Sequence, residues 1–210
     1  MLGILLVVVD QVIKILVKTN MSIGDHFNVI GSWFQIFFIE NEGMAFGMKF
    51  GGAAGKLLLS LFRIALFGFL CWWITRLVRK SYALDAAGNR ILVNGRPQPA
   101  RWEDGRQKVP AGVLVGLTLI TAGAFGNIID SLFYGVVFGY APFLFGKVVD
   151  MLYFPLIDTL WPAWMPFVGG DRLLFFAPVF NFADSCVTVG ALYLIFFQYK
   201  FFTREEKKKD

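Results

Sequence analysis

Residues 109–130, VPAGVLVGLTLITAGAFGNIID, decide the fold. The stretch has no charged side chain before Asp130, and its length matches the roughly 20 residues that a helix needs to cross a hydrocarbon core. Three other apolar runs have similar length, at 2–18, 57–78 and 175–197. The 210 residues are 57% hydrophobic and include 24 Phe, too apolar for an ordinary water-soluble domain. The reading is therefore one integral-membrane domain, 1–210, with four transmembrane helices and both termini on the same side. The first run carries Asp10 and Lys14 and lacks a basic leader and a small-residue cleavage site, so it reads as a retained helix, not a secretory signal. Almost nothing precedes Leu2, and a start trimmed relative to the natural one is expected.

Charge orients this bundle. Eight Arg and Lys residues crowd the stretch from Arg76 to Lys108, and Lys207, Lys208 and Lys209 end the chain. Basic loops stay in the cytoplasm, so 79–108 and both termini are placed there, and 19–56 and 131–174 on the outer, periplasmic side. The net charge of +5 then marks topology, and without aromatic-basic interleaving no nucleic-acid partner is expected. Cys71 and Cys186 fall inside predicted spans and read as packing residues.

The outer segment HFNVIGSWFQIFFIENEGMAFGM reads as one or two short strands running into a glycine-rich turn. The cytoplasmic connection carries the turn signals DAAGNR and VNGRPQ and reads as a hairpin or loose loop. The third connection is aromatic and broken by Pro142, Pro155, Pro162 and Pro166, which argues against a fifth span and for a segment lying along the outer interface.

Ionisable groups at membrane depth cost roughly 2.5–3.5 kcal/mol each on insertion scales, so each needs a reason. Asp10 and Lys14 are four apart and pair on one helical face, either as a packing ion pair or beside a substrate headgroup. Arg63 is expected to snorkel outward. Gly123, Asn127 and Asp130 form one stripe near the outer end of the third span. Asp150 lies in GKVVDML, and Asn181 and Asp184 lie in FNFADS, with Asp184 placed about two turns into the fourth span. Two carboxyls sharing a poorly hydrated site cannot both ionise easily, so one keeps its proton and the pair supplies an acid and a base. No metal-ligand spacing and no serine nucleophile elbow competes, and the single histidine, His26, is expected in a surface loop. Buried carboxylates also serve proton-coupled transporters, which remains the alternative reading, with a purely structural membrane subunit as a third.

Taken in order along the chain, these motifs resemble the lipoprotein signal peptidase (signal peptidase II) family. DQVIK resembles its first element, with Asp10 and Lys14, and ENEGMAFG its second, with Asn41, Gly43, Ala45 and Phe46. GAFGNIID resembles the third, with Gly123, Asn127 and Asp130. VVDML and FNFADS resemble the two elements that hold the family's catalytic aspartates, here Asp150 and Asp184, with Asn181 and Ala183 completing the last. The resemblance implies a membrane α-helical fold: four transmembrane helices, a small periplasmic β-sheet cradle and an interfacial periplasmic segment. It implies an aspartic endopeptidase of the bacterial inner membrane, with its active site near the periplasmic face. The enzyme would cleave diacylglyceryl prolipoproteins before the lipidated cysteine, work among membrane lipid, bind the inhibitor globomycin and need no cofactor or metal. Two departures stand out. Ser131 follows Asp130 where the family usually has Arg, removing a donor for lipid or backbone carbonyls, and the third connection carries inserted aromatic sequence that must loop outward if Asp150 is to return beside Asp184.

Overall fold

The computed structural model describes residues 1–42, 52–102, 105 and 107–203. Its long helices are α1 (Leu2–Asn20), α2 (Gly52–Lys80), α3 (Ala111–Ile129) and α5 (Phe182–Phe197). Helix α3 runs on through a π-helical segment, Asp130–Tyr134, into the short α4 (Gly135–Val137), so the apolar rod extends to Val137 instead of ending at 129. The wider π turn re-aims side chains within a continuous helix and is frequent at functional sites.

Helix α1 is built inside out. Its buried residues include Asp10 and Lys14, whereas Ile4, Leu5, Val8 and Leu16 are exposed. In water that arrangement would place the ions in the core and the hydrocarbon outside; against lipid it is the stable one. Helix α2 likewise buries only Ser60, Leu70 and Leu77 over its 29 residues. Together with the α2 and α3 rods, each long and apolar enough to span a bilayer, these faces identify a membrane protein.

Helices α3 and α5 have the most extensive contact in the bundle. Small residues permit it: a Cβ at Gly116 would stand 2.5 Å from Leu194 Cδ2, and one at Gly190 would stand 2.8 Å from the Gly116 carbonyl oxygen. Membrane helices gain little from hydrophobic association and depend on such close van der Waals approach. Around the end of this interface away from the sheet, Leu77, Val113, Leu117 and Leu194 make one apolar core.

A four-stranded antiparallel sheet caps the other end. Its strands are β1 (His26–Ile30), β2 (Phe34–Asn41), β5 (Val148–Tyr153) and β8 (Val179–Phe180), in the order β1-β2-β5-β8. His26 thus belongs to an exposed strand and not to a loop. Alternation along β5 sends Val149 and Met151 into a core with Val17, Phe38 and Tyr134, which leaves Asp150 facing the opposite side. Strands β6 (Ile157–Leu160) and β7 (Arg172–Phe175) form a separate hairpin, so beyond Val137 the aromatic third connection adds no helix. In the second connection β3 (Leu92–Val93) and β4 (Arg96–Pro97) pair across Asn94 and Gly95, both at positive φ, as the Asn-Gly signal requires.

The last span required correction. Residues 175–197 were expected to be helical, but α5 starts at Phe182. Pro178 offers no N–H, and the Asn181 side chain accepts from the Asp184 amide while the Asp184 carboxylate accepts from the Asn181 amide, fixing the start by a reciprocal cap. Asp184 consequently lies in the first turn of α5 and not two turns deep. The second rod starts at 52 instead of 57, because Ala53, Ala54 and Lys56 are good helix formers outside the most apolar window.

Candidate active site

Five chain segments bring the site together, and three asparagines hold it. Asp150 comes from β5, where it is registered opposite Ile39, and Asp184 from the first turn of α5. Asn181 Nδ2 donates to Asp150 Oδ1 at 2.7 Å and to Asn127 Oδ1 at 3.0 Å. Asn127 Nδ2 donates to Asp184 Oδ1 at 2.8 Å. At the end of β2, Asn41 Nδ2 donates to Asp150 Oδ2 at 3.2 Å. The inserted third connection therefore does loop away and return Asp150 to α5.

These amides can point only one way. Asn181 Oδ1 accepts the Asp184 N–H, so its Nδ2 must face Asn127 and Asp150. Lys14, fully buried, donates to Asn127 Oδ1 at 2.8 Å, so the Asn127 amide nitrogen must face Asp184. Lys14 also pairs with Asp10 at 3.0 Å and Asp130 at 2.8 Å. Asp10 Oδ1 accepts the Ala183 N–H, and Asp130 Oδ2 accepts the Val149 N–H, so this ion cluster pins the start of α5 and the strand carrying Asp150. Gln11, quoted in DQVIK but given no role there, donates to both Asp10 and Asp130 and accepts from the Tyr134 hydroxyl. Its position between two charged motif residues was the available signal.

Glycines set the spacing. A Cβ at Gly126 would stand 2.5 Å from Asp10 Oδ2, and one at Gly123 would stand 2.8 Å from Val187 Cγ2. Gly43, with Ala45 and Phe46, lies outside the described residues.

Asp150 and Asp184 line one cavity of about 870 Å³, whose other walls include Phe154, Leu156, Phe176 and Val189. Asp150 is 2% exposed, and Asp184 is half-buried. Burial pushes the Asp150 carboxyl up to about 7, and the charge on Asp184 adds to the rise. A carboxyl so placed holds a proton near neutrality, as general acid catalysis requires.

Arg63 was expected to snorkel outward, and the structure reverses this. From α2 it turns inward to the cavity wall and is the cation of that wall among the described residues. Its Nη1 donates to Ser131 Oγ at 3.0 Å. A guanidinium thus reaches Ser131 from a neighbouring helix, at the position where the resembled family usually carries its own arginine. Hydropathy gave no warning, because α2 is apolar all round and its rotational phase cannot be read from the pattern.

A family model described as Signal peptidase (SPase) II matches residues 2–95 and 102–200. The chain belongs to the signal peptidase II family. A lipoprotein signal peptidase of Porphyromonas gingivalis is 44% identical over 207 residues, covering 91% of this chain and 78% of that protein. One from Amoebophilus asiaticus is 32% identical over 202 residues, covering 92% and 74%. A bacterial membrane enzyme solved by the in meso method at 1.9 Å resolution shares the fold with a TM-score of 0.54 at 24% identity, covering 92% of this chain and 86% of its own. A second, solved at 2.3 Å resolution, matches with a TM-score of 0.54 at 22% identity. The buried network holds two carboxyls that no local sequence would bring together.

Proposed function

We propose that the chain is an aspartic endopeptidase that removes the signal peptide from diacylglyceryl prolipoproteins, cutting before the lipidated cysteine with Asp150 and Asp184 as its acid and base. The observation that carries this reading is the convergence of the two carboxyls on one largely apolar cavity, each held by asparagine amides. Asp184, the more exposed, acts as the base. It takes a proton from water as that water attacks the scissile carbonyl, while Asp150 gives its proton to the carbonyl oxygen. On collapse the diol returns a proton to Asp150, and the proton on Asp184 passes to the leaving amine, which restores the starting pair. Arg63 offers donors to substrate carbonyls from the facing wall, and Asp10, Lys14, Asn127, Asp130 and Asn181 hold the pair in register.

In this reading α1, α2, α3 and α5 are the four transmembrane helices and the β1-β2-β5-β8 sheet is the periplasmic cradle. The basic 79–108 connection and both termini lie in the cytoplasm of a bacterial inner membrane. The β6–β7 hairpin rests at the outer interface, acyl chains of substrate lie between helices, and globomycin competes for the same cavity. A proton-coupled transporter would need polar groups through both halves of the bundle. The half of α3 and α5 away from the sheet instead packs Val113, Leu117 and Leu194.

The test is incubation of the purified protein with a lipidated prolipoprotein, read by loss of the signal peptide. Wild type is expected to cleave. Asp150→Asn and Asp184→Asn, nearly isosteric but not ionisable in the same way, are each expected to drop to background while remaining folded in the membrane. Substantial activity in either variant removes the pair from the mechanism.

A further inference from the structure

At the end of the bundle away from the sheet lies a second, larger hollow of about 1580 Å³, bounded by the end of α2, the second connection and the end of α5. Arg79, Lys80, Arg101, Lys108 and Lys200 converge on it from these three segments and from α6 (Tyr199–Phe202). Among the described residues none of the five pairs with a carboxylate. Lys108 rests over the Trp102 ring at 5.3 Å, and Arg101 donates to the Gly105 carbonyl.

The rest of the lining is mostly apolar, with Gln107, Gln198 and Thr203 as its polar members. Leu77, Phe197 and Phe201 form wall on the side where the helices enter the bundle, and Tyr82 and Trp102 lie towards the loop side. Cations near a membrane boundary ordinarily mark topology alone and point into solvent separately. Arg76 stacks on Trp72 and Arg90 on Tyr82, and neither they nor Arg96 line the hollow. The five cations that do line it share a concave surface with an apolar floor. Such a surface fits a molecule with an anionic head and a hydrocarbon body.

We propose that this hollow is a binding site for an anionic phospholipid, its phosphate among Lys80, Lys108 and Arg79 and its glycerol and first methylenes against Leu77, Phe197 and Phe201. Size supports a lipid headgroup over a bare ion, since the volume far exceeds what phosphate fills. The site is remote from Asp150 and Asp184, and lipid retention is read without cleavage, so failure here leaves the peptidase reading untouched. Only the leaflet, the cytoplasmic one, follows from the proposed orientation.

The experiment titrates the full chain, purified in a non-ionic detergent, with dioleoyl phosphatidylglycerol or dioleoyl phosphatidylcholine and counts retained lipid by native mass spectrometry. One phosphatidylglycerol is expected to be held at least about tenfold more tightly than phosphatidylcholine. Each cation at such a surface contributes roughly fivefold, so the variant Arg79→Gln/Lys80→Gln/Lys108→Gln is expected to lose the preference. The control Arg76→Gln/Arg96→Gln, with cations outside the hollow, is expected to keep it. Equal retention of the two lipids in wild type overturns the site. So does a preference that survives the triple change or vanishes in the control. Displacement of the lipid by inorganic phosphate at equal concentration would assign the site to the free anion instead.

Discussion

Lys14 has three N–H donors and meets three buried acceptors, on Asp10, Asn127 and Asp130. The two carboxyls have more lone pairs than one ammonium can fill. Backbone amides of Ala183 and Val149 and the Gln11 side chain share what remains. The cluster holds the start of α5 and the strand β5, and Asp150 and Asp184 are the carboxyls that line the cavity among the described residues. Because the buried Asp150 titrates at about 7, its proton is present below that value and lost above it. Cleavage is therefore expected to fall on the alkaline side of about pH 7, by roughly tenfold per unit once the acid form is depleted; a rate flat from pH 6 to 9 in a fixed detergent would remove Asp150 as the acid. Arg63→Gln removes a charged donor worth about 1.5–3 kcal/mol. It is expected to lower kcat/KM by roughly ten- to a hundredfold without loss of folded protein, and Arg63→Lys to recover only part. Both aspartates were legible as motif residues. The inward turn of Arg63 was not, since a helix apolar on every side does not reveal which side meets its neighbours.

At the scale of elements, the approach of α3 to α5 decides whether Asn127 reaches Asp184. Gly190 stands where a Cβ would meet the Gly116 carbonyl at 2.8 Å, with Ile120 and Leu119 carbons at 2.9 Å. Gly190→Val forces the helices apart. It is expected to cost about 1–3 kcal/mol as overpacking and to weaken activity with it, while Val189→Ala, beside it at the cavity wall, is expected to keep the fold. Comparing detergent-resistant thermal unfolding of the two separates packing from chemistry, and an unshifted midpoint for Gly190→Val would show that the approach is not tight. The strand pair β1–β2 and the Asn94-Gly95 turn were readable because alternation and turn chemistry are local. The start of α5 was misread because residues 173–180 are almost uniformly apolar, and hydropathy alone does not separate a buried strand from a helix. Pro178 and the Asn181-to-Asp184 cap spacing carried the true boundary.

The whole molecule fixes where the substrate must stand. Sixteen residues make α5 about 24 Å long at 1.5 Å per residue, less than the roughly 30 Å of a hydrocarbon core. Asp184 lies in its first turn, so in the proposed mechanism the scissile bond would be cut at the level where α5 meets the sheet, closer to the membrane surface than the expected two-turn depth implied. A soluble peptide reaches that level through headgroups and an apolar mouth lined by Phe175 and Phe176. On the proposed function a diacylglyceryl group would arrive from within the bilayer, and each methylene it buries would contribute about 0.8 kcal/mol. Two methylenes in contact with the cavity wall already correspond to more than about tenfold in binding. The lipidated precursor is therefore expected to be cleaved at least about tenfold faster, at limiting concentration, than the same sequence with an unmodified cysteine in identical micelles. Phe176→Ser, which makes the mouth polar, is expected to narrow that ratio by acting on the lipidated substrate. Equal rates for the two precursors in wild type would mean that the apolar walls serve only the fold and that lipid is not what the cavity recognises.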